Sequence, residues 1–181
     1  MVYIFLADGF EEIEALTQVD YLRRAGIDIT TLGIDKEFIT GSKGITVKAD
    51  MTIKNVDADD ATMIILPGGL MGVEGISTSK RAVEIIKKAY QNNTYIAAIC
   101  AAPTILANLG MLKGKKCVCY PSMQTELEEN GGIVCDEAVA VDGKIITARA
   151  AGASEEFAFA IIELLKGKED AQKVRVSICA R

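Results

Sequence analysis

Cys100 stands between the apolar run Tyr95-Ile96-Ala97-Ala98-Ile99 and the stretch Ala101-Ala102-Pro103-Thr104-Ile105-Leu106. The run reads as a buried strand. The stretch after it is apolar at helical spacing and ends at Asn108-Leu109-Gly110. One thiol at the vertex between strand and helix is the layout of a nucleophile elbow, where a strained turn lifts the side chain above the sheet and tolerates only tiny neighbours. The positive end of the following helix would face the sulfur and favour thiolate over thiol. The plainer reading of Cys100 is a buried, inert thiol. The chain contains no histidine, so no imidazole of its own can act as base for that sulfur.

Two further groups could join it. Glu14 closes the run Glu11-Glu12-Ile13-Glu14 and shares a helical face with Phe10 and Tyr21. A carboxylate among apolar neighbours is costly unless partnered, which points to a site, although acids in a first helical turn often only complement the dipole. Gly68-Gly69 lies in Leu66-Pro67-Gly68-Gly69-Leu70-Met71-Gly72. Its glycines either supply positive φ for a turn or expose a backbone N–H that, with the N–H of Ala101, forms an oxyanion hole. The stretch matches neither GxGxxG nor a P-loop, so phosphate binding is not indicated.

These groups need elements to hold them. Val2 to Leu6 reads as a first strand and Phe10 to Ala25 as a helix, apolar at 13, 16, 19 and 22 and closed by Gly26. Asp28 to Ile34 and Met63 to Leu66 read as strands, with a weaker alternating run from Lys43 to Ala49 after Gly41 as half of a hairpin. A helix from Lys80 to Gln91 follows a Ser-Thr-Ser cluster. After the elbow come a strand from Lys115 to Cys119 and a polar helix from Gln124 to Asn130. Two short strands then flank Asp142-Gly143, and a last helix runs from Ala153 to Leu165, capped by Gly167. Strands alternating with helices specify an α/β fold with a mostly parallel sheet covered on both faces. Ligands of such sheets sit at the carboxyl ends of the strands, where Ala7-Asp8-Gly9, Pro67 to Leu70 and Cys100-Ala101 would converge.

At 181 residues, half of them apolar, the chain is expected to form one domain over 1–181. A net charge of −5 without a basic run argues against nucleic acid and anionic membrane surfaces. No stretch reaches the roughly 20 apolar residues of a membrane span. The apolar start is broken by Asp8 and the three glutamates, unlike a signal peptide, so a cytoplasmic protein is expected. Five cysteines without CxxC spacing suggest neither a disulfide framework nor a zinc site, and no metal or cofactor is expected. Cys117 and Cys119 read as small core residues, and Cys179 is given no role.

Several dispersed motifs resemble the ThiJ/PfpI superfamily, closest to its small single-domain branch, which includes a Parkinsonism-associated protein and bacterial relatives. They are Ala7-Asp8-Gly9-Phe10-Glu11-Glu12-Ile13-Glu14, Arg23-Arg24-Ala25-Gly26, Leu66-Pro67-Gly68-Gly69 and Ala98-Ile99-Cys100-Ala101-Ala102-Pro103. Gly131-Gly132, Thr147-Ala148-Arg149 and Glu156-Phe157-Ala158 extend the likeness over nearly the whole chain. The resemblance implies a flavodoxin-like three-layer sandwich, usually a homodimer. It also implies a reactive, oxidisable Cys100, a protonated Glu14 bonded to its sulfur, and backbone donors from Gly69 and Ala101. The activities it implies are glyoxalase or deglycase chemistry on methylglyoxal-type aldehydes and adducts, oxidative-stress sensing, and chaperone action.

Two departures stand out. Where the family commonly has a histidine before a proline, this chain has Tyr120-Pro121, and a phenol, ordinarily ionising near about pH 10, is a poor base. That disfavours a protease and leaves Glu14 to shuttle protons. The family's glycine-proline pair after the last strand is Ala150-Ala151 here, which would reshape the pocket wall beside Gly68 and Tyr120. The leading expectation is a cysteine-dependent small-molecule enzyme; the alternative is a non-catalytic sensor or chaperone with an oxidisable cysteine. In the first helix, Ile13, Leu16, Val19 and Leu22 drift around the axis, a further hint of a dimer.

Overall fold

Unbroken apolar runs make strands that must be covered on both sides, and the order of those runs along the chain sets the architecture. In the computed structural model, which describes residues 1–180, β1 (Val2–Leu6) leads into α1 (Glu12–Arg24) and β2 (Ile29–Gly33). A hairpin of β3 (Phe38–Thr40) and β4 (Thr46–Lys48) precedes β5 (Met51–Thr52) and β6 (Met63–Leu66). Then come α2 (Leu70–Thr78), α3 (Lys80–Gln91), β7 (Tyr95–Ile99), α4 (Pro103–Asn108) and β8 (Lys116–Cys117). The chain continues through α5 (Gln124–Glu129), β9 (Ile133–Val134), β10 (Val139–Asp142), β11 (Ile145–Ala148), α6 (Ser154–Lys166) and α7 (Lys168–Ser177).

Seven strands form the main sheet in the order β10-β11-β7-β6-β1-β2-β5, parallel throughout except for the edge strand β10. Alternate residues feed two cores. Tyr3, Phe5, Ile64, Leu66 and Ile96 pack beneath α3 and α4, whereas Ile4, Leu6, Met63, Ile65 and Ala97 pack beneath α1, α6 and α7. The result is the flavodoxin-like three-layer sandwich expected from the alternation of strands and helices.

The differences from the sequence reading are local. α1 begins at Glu12, because Phe10 is buried in the preceding loop. Two helices were not anticipated: α2, where Gly72 and Gly75 mask the periodicity, and α7, which buries only Ala171 and Val174. The stretch after Lys115 does not join the main sheet. β8 instead pairs with β9 in a separate parallel ribbon, with Cys117 and Cys119 buried as core residues.

Candidate active site

The direction of strand succession reverses at β1: β2 and β5 lie on one side, β6, β7 and β11 on the other. A crevice opens at such a point, beyond the carboxyl ends of β1 and β6. The loop after β1 is stitched to the loop after β6 by the Glu11 N–H donating to the Gly68 carbonyl at 3.0 Å. Cys100 directly follows β7, one strand further along.

Cys100 is held with φ at +64°, a conformation that non-glycine residues adopt rarely and that the surroundings must enforce. Its N–H donates to the Ala148 carbonyl at 3.0 Å, and its carbonyl accepts from the Tyr120 N–H at 2.8 Å. Both backbone groups of the strained residue are therefore satisfied by neighbouring segments. Ala101 and Ala102 are buried behind it, as the elbow demands. A Cβ on Gly68 would lie 2.6 Å from the Cys100 Cβ and 2.5 Å from Glu14 Oε2, so only glycine fits there. Gly69 has φ +87°, and a Cβ on it would collide with the Gly9 carbonyl.

Glu14, in the first turn of α1, is 1% exposed. Its Oε2 accepts the Gly68 N–H at 2.9 Å, and its carboxyl also meets the Cys100 thiol and the Ala151 N–H. Burial pushes this carboxyl up to about 7, against the opposing pull of those hydrogen bonds. Burial likewise pushes the Cys100 thiol up to about 12, and the facing Glu14 carboxylate adds to the rise. The N–H groups of Ala101 and Gly69 bond to the sulfur and oppose it. The expectation of a lowered thiol is thus reversed. α4 has six residues and starts two positions beyond Ala101, so desolvation and the adjacent acid outweigh any help from its dipole. Thiol and carboxyl form a pair that retains its last proton well above neutrality.

Over the pair lies a cavity of about 420 Å³. Cys100, Ala101 and Gly69 form its base, and Leu70, Met71 and Tyr120 border it with large side chains. Glu11, Ser42 and Lys43 supply a polar wall, with Ser122 and Met123 beside Tyr120. Ala150 and Ala151 do not line this cavity, in contrast to their assignment as pocket wall. Ala151 instead contributes its N–H to the Glu14 carboxyl. Gly68 is not on the wall either. The sequence reading missed Glu11, Ser42 and Lys43. The last two arrive from the tip of the β3–β4 hairpin, and no local signal marks a contact so far along the chain.

The polar wall has a definite origin. Glu12 is buried, and its carboxylate accepts the Lys43 N–H at 2.8 Å, the Ile45 N–H at 3.3 Å and the Ser42 hydroxyl at 3.2 Å. This side chain, with the Ser42 N–H donating to the Phe10 carbonyl at 2.8 Å, fastens the hairpin tip to the start of α1. The four residues Glu11 to Glu14 therefore split their work: one faces the cavity, one anchors the hairpin, one is exposed and one bonds the thiol.

A doubly wound sheet carrying a cysteine at a strained strand-to-helix elbow defines a class of α/β proteins, and the comparisons specify which. The chain belongs to the DJ-1/PfpI family, whose model matches residues 1–164. It is 39% identical over 172 residues to the protein dj-1beta of Drosophila melanogaster, covering 94% of this chain and 92% of that one. It is 31% identical over 165 residues to a Pyrococcus abyssi protein named deglycase, covering 91% and 99% of the two. The chain spans 38% and 45% of two Arabidopsis thaliana DJ-1 homologues that it also matches. The crystal structure of Drosophila DJ-1beta superposes with a TM-score of 0.94 at 37% identity, over 99% of this chain and 97% of that one. An oxidized Toxoplasma gondii DJ-1 superposes with 0.92 at 34% identity, over 98% and 97%. This kinship supports a DJ-1-type function. Among the described residues, no helix is long and apolar enough to cross a membrane.

Proposed function

We propose that the chain, working as one domain over 1–181, is a cysteine-dependent enzyme of the glyoxalase or deglycase type, acting on methylglyoxal-like aldehydes or their adducts. The observation that carries this reading is the thiol–carboxyl pair at the base of a cavity, with Gly69 and Ala101 N–H groups aimed at the sulfur. Relatives named deglycase support the same class of substrate. Sulfur attacks the aldehyde carbon as Glu14 takes the thiol proton, forming a hemithioacetal whose oxygen the two N–H groups stabilise. The hydrogen on that carbon leaves as a proton and returns to the neighbouring carbon. The former aldehyde carbon becomes a thioester while the ketone carbon is reduced to a carbinol. Water then cleaves the thioester, releasing a hydroxy acid and restoring the thiol. The cytoplasmic setting and the homodimer belong to this proposal too, the first supported by five unpaired cysteines.

Purified protein should convert methylglyoxal to lactate without glutathione, and Cys100→Ser should abolish this. Glu14→Gln should lower turnover by roughly two to four orders of magnitude, the usual worth of positioned acid–base help. Equal rates in wild type and Cys100→Ser overturn the reading.

A second reading, an oxidation sensor, is favoured by the same two N–H groups, which would hold sulfinate oxygens. Two peroxide molecules convert the thiol to a sulfinic acid and release two waters. Mass spectrometry after mild peroxide should find two oxygens on Cys100 before any reach the other cysteines; uniform oxidation of all five rejects selectivity.

A further inference from the structure

The proposed reaction moves two different protons, one from sulfur and one from carbon, and a chain without histidine needs a base for each. Glu14 is committed to the sulfur: its carboxyl is enclosed by the thiol and by the N–H groups of Gly68 and Ala151. The cavity wall carries a second carboxyl. Glu11 is the N-cap residue of α1, yet its side chain makes no capping hydrogen bond. It turns instead to the cavity that Cys100 also lines. There the Ser42 hydroxyl donates to Glu11 Oε2 at 2.8 Å, and the Lys43 ammonium lies 3.7 Å from the same oxygen. The side chain is 17% exposed, so it is largely immobilised yet still reaches the open space.

We propose that Glu11 is the general base that takes the carbon-bound hydrogen of the Cys100 hemithioacetal and returns it to the adjacent carbon. The inference rests on the glyoxalase reading above and assigns its missing proton carrier. Glu14 serves the Sγ–C bond from behind the cavity base, and Glu11 serves the C–H bond from the cavity wall. Oxygen Oε1, which Ser42 and Lys43 leave free, is the atom that accepts the proton. Lys43 then stabilises the negative charge that spreads onto the substrate oxygens as the proton leaves. Tyr120, at the position where the family has histidine, borders the same cavity, but its role shrinks to contact with the substrate.

The test uses full-length wild type, Glu11→Gln, Glu11→Asp and Cys100→Ser with methylglyoxal. Lactate is followed by enzymatic assay, and the Cys100 adduct by intact-protein mass spectrometry. Because Glu11 does not cap its helix, Glu11→Gln should melt with wild-type protein, and circular dichroism checks this. The expected result is an undiminished Cys100 adduct in Glu11→Gln with lactate formation down by at least about 100-fold, and partial recovery in Glu11→Asp. Full lactate production in Glu11→Gln overturns the assignment while leaving the glyoxalase reading intact. Absence of lactate from wild type overturns both. Loss of the adduct together with the lactate in a folded Glu11→Gln also overturns it, because the carboxyl would then act on sulfur rather than carbon.

Discussion

Burial of Glu14 beside a thiol is expensive, and the cost can be read as a pH dependence. The native carboxyl holds its proton up to about 7, whereas in the unfolded chain it lets go near the ordinary 4.5. The folded state therefore binds the extra proton, so this contribution to stability is complete below about 4.5 and is lost as pH rises through about 7. A difference of that size amounts to about 3 kcal/mol. The chain has no histidine, which leaves this window unusually clear of other side-chain titrations. Urea unfolding from pH 4.5 to 8 should show wild-type stability falling and then levelling, with the slope absent in Glu14→Gln. Alkylation of Cys100 should rise over the same interval, as the freed carboxylate becomes able to take the thiol proton. A flat wild-type profile in both measurements removes Glu14 from the pair.

Elements place these residues, and they differ in how plainly the sequence announced them. The elbow was legible because its requirements are local: an apolar run, one thiol, then alanines and a proline. α2 was not, because Gly72 and Gly75 suppress the helical pattern. They are there for packing, since a Cβ on either would press against Phe10 or Ala7 at 2.8 Å. Glu14 was legible from its helical face, but Glu11 and Glu12 looked alike until the hairpin came to rest against them. Glu12 offers a test of that docking. Its carboxylate is held below the ordinary range: desolvation would raise it, but hydrogen bonds from its own backbone N–H, from the Lys43 and Ile45 N–H groups and from Ser42 together outweigh that. Glu12→Leu leaves the Lys43 and Ile45 N–H groups without their acceptor and should cost about 2–4 kcal/mol. Because the carboxylate is held charged in the native state, this stabilisation is present at neutral pH and lost as pH falls through the acid range. Turnover should drop as well, since the hairpin tip that carries Ser42 and Lys43 loosens against the remaining bonds to Glu11 and the Phe10 carbonyl. Unchanged urea stability in Glu12→Leu contradicts the anchoring role.

The arrangement of the whole molecule leaves an apolar surface close to the site. Ile13 is 55% exposed, between two buried glutamates, and Ile45 is 53% exposed at the hairpin tip. The Ile45 N–H donates to Glu12, the residue before Ile13, so the two exposed residues stand on segments that one carboxylate joins. Isolated exposed apolar residues are ordinary, but large ones on joined segments beside a site suit a contact. A second copy of the chain would cover it, provided that roughly 800 Å² per partner is buried, enough to persist at micromolar concentration. Light scattering at that concentration should then give about twice the mass of one 19.4 kDa chain. Ile13→Arg places a charge in the covered face and should return the mass to that of one chain, with Cys100 still open to alkylation. If Ile13→Arg keeps the doubled mass, the partner sits on another face; if wild type already weighs 19.4 kDa, the homodimer is rejected outright.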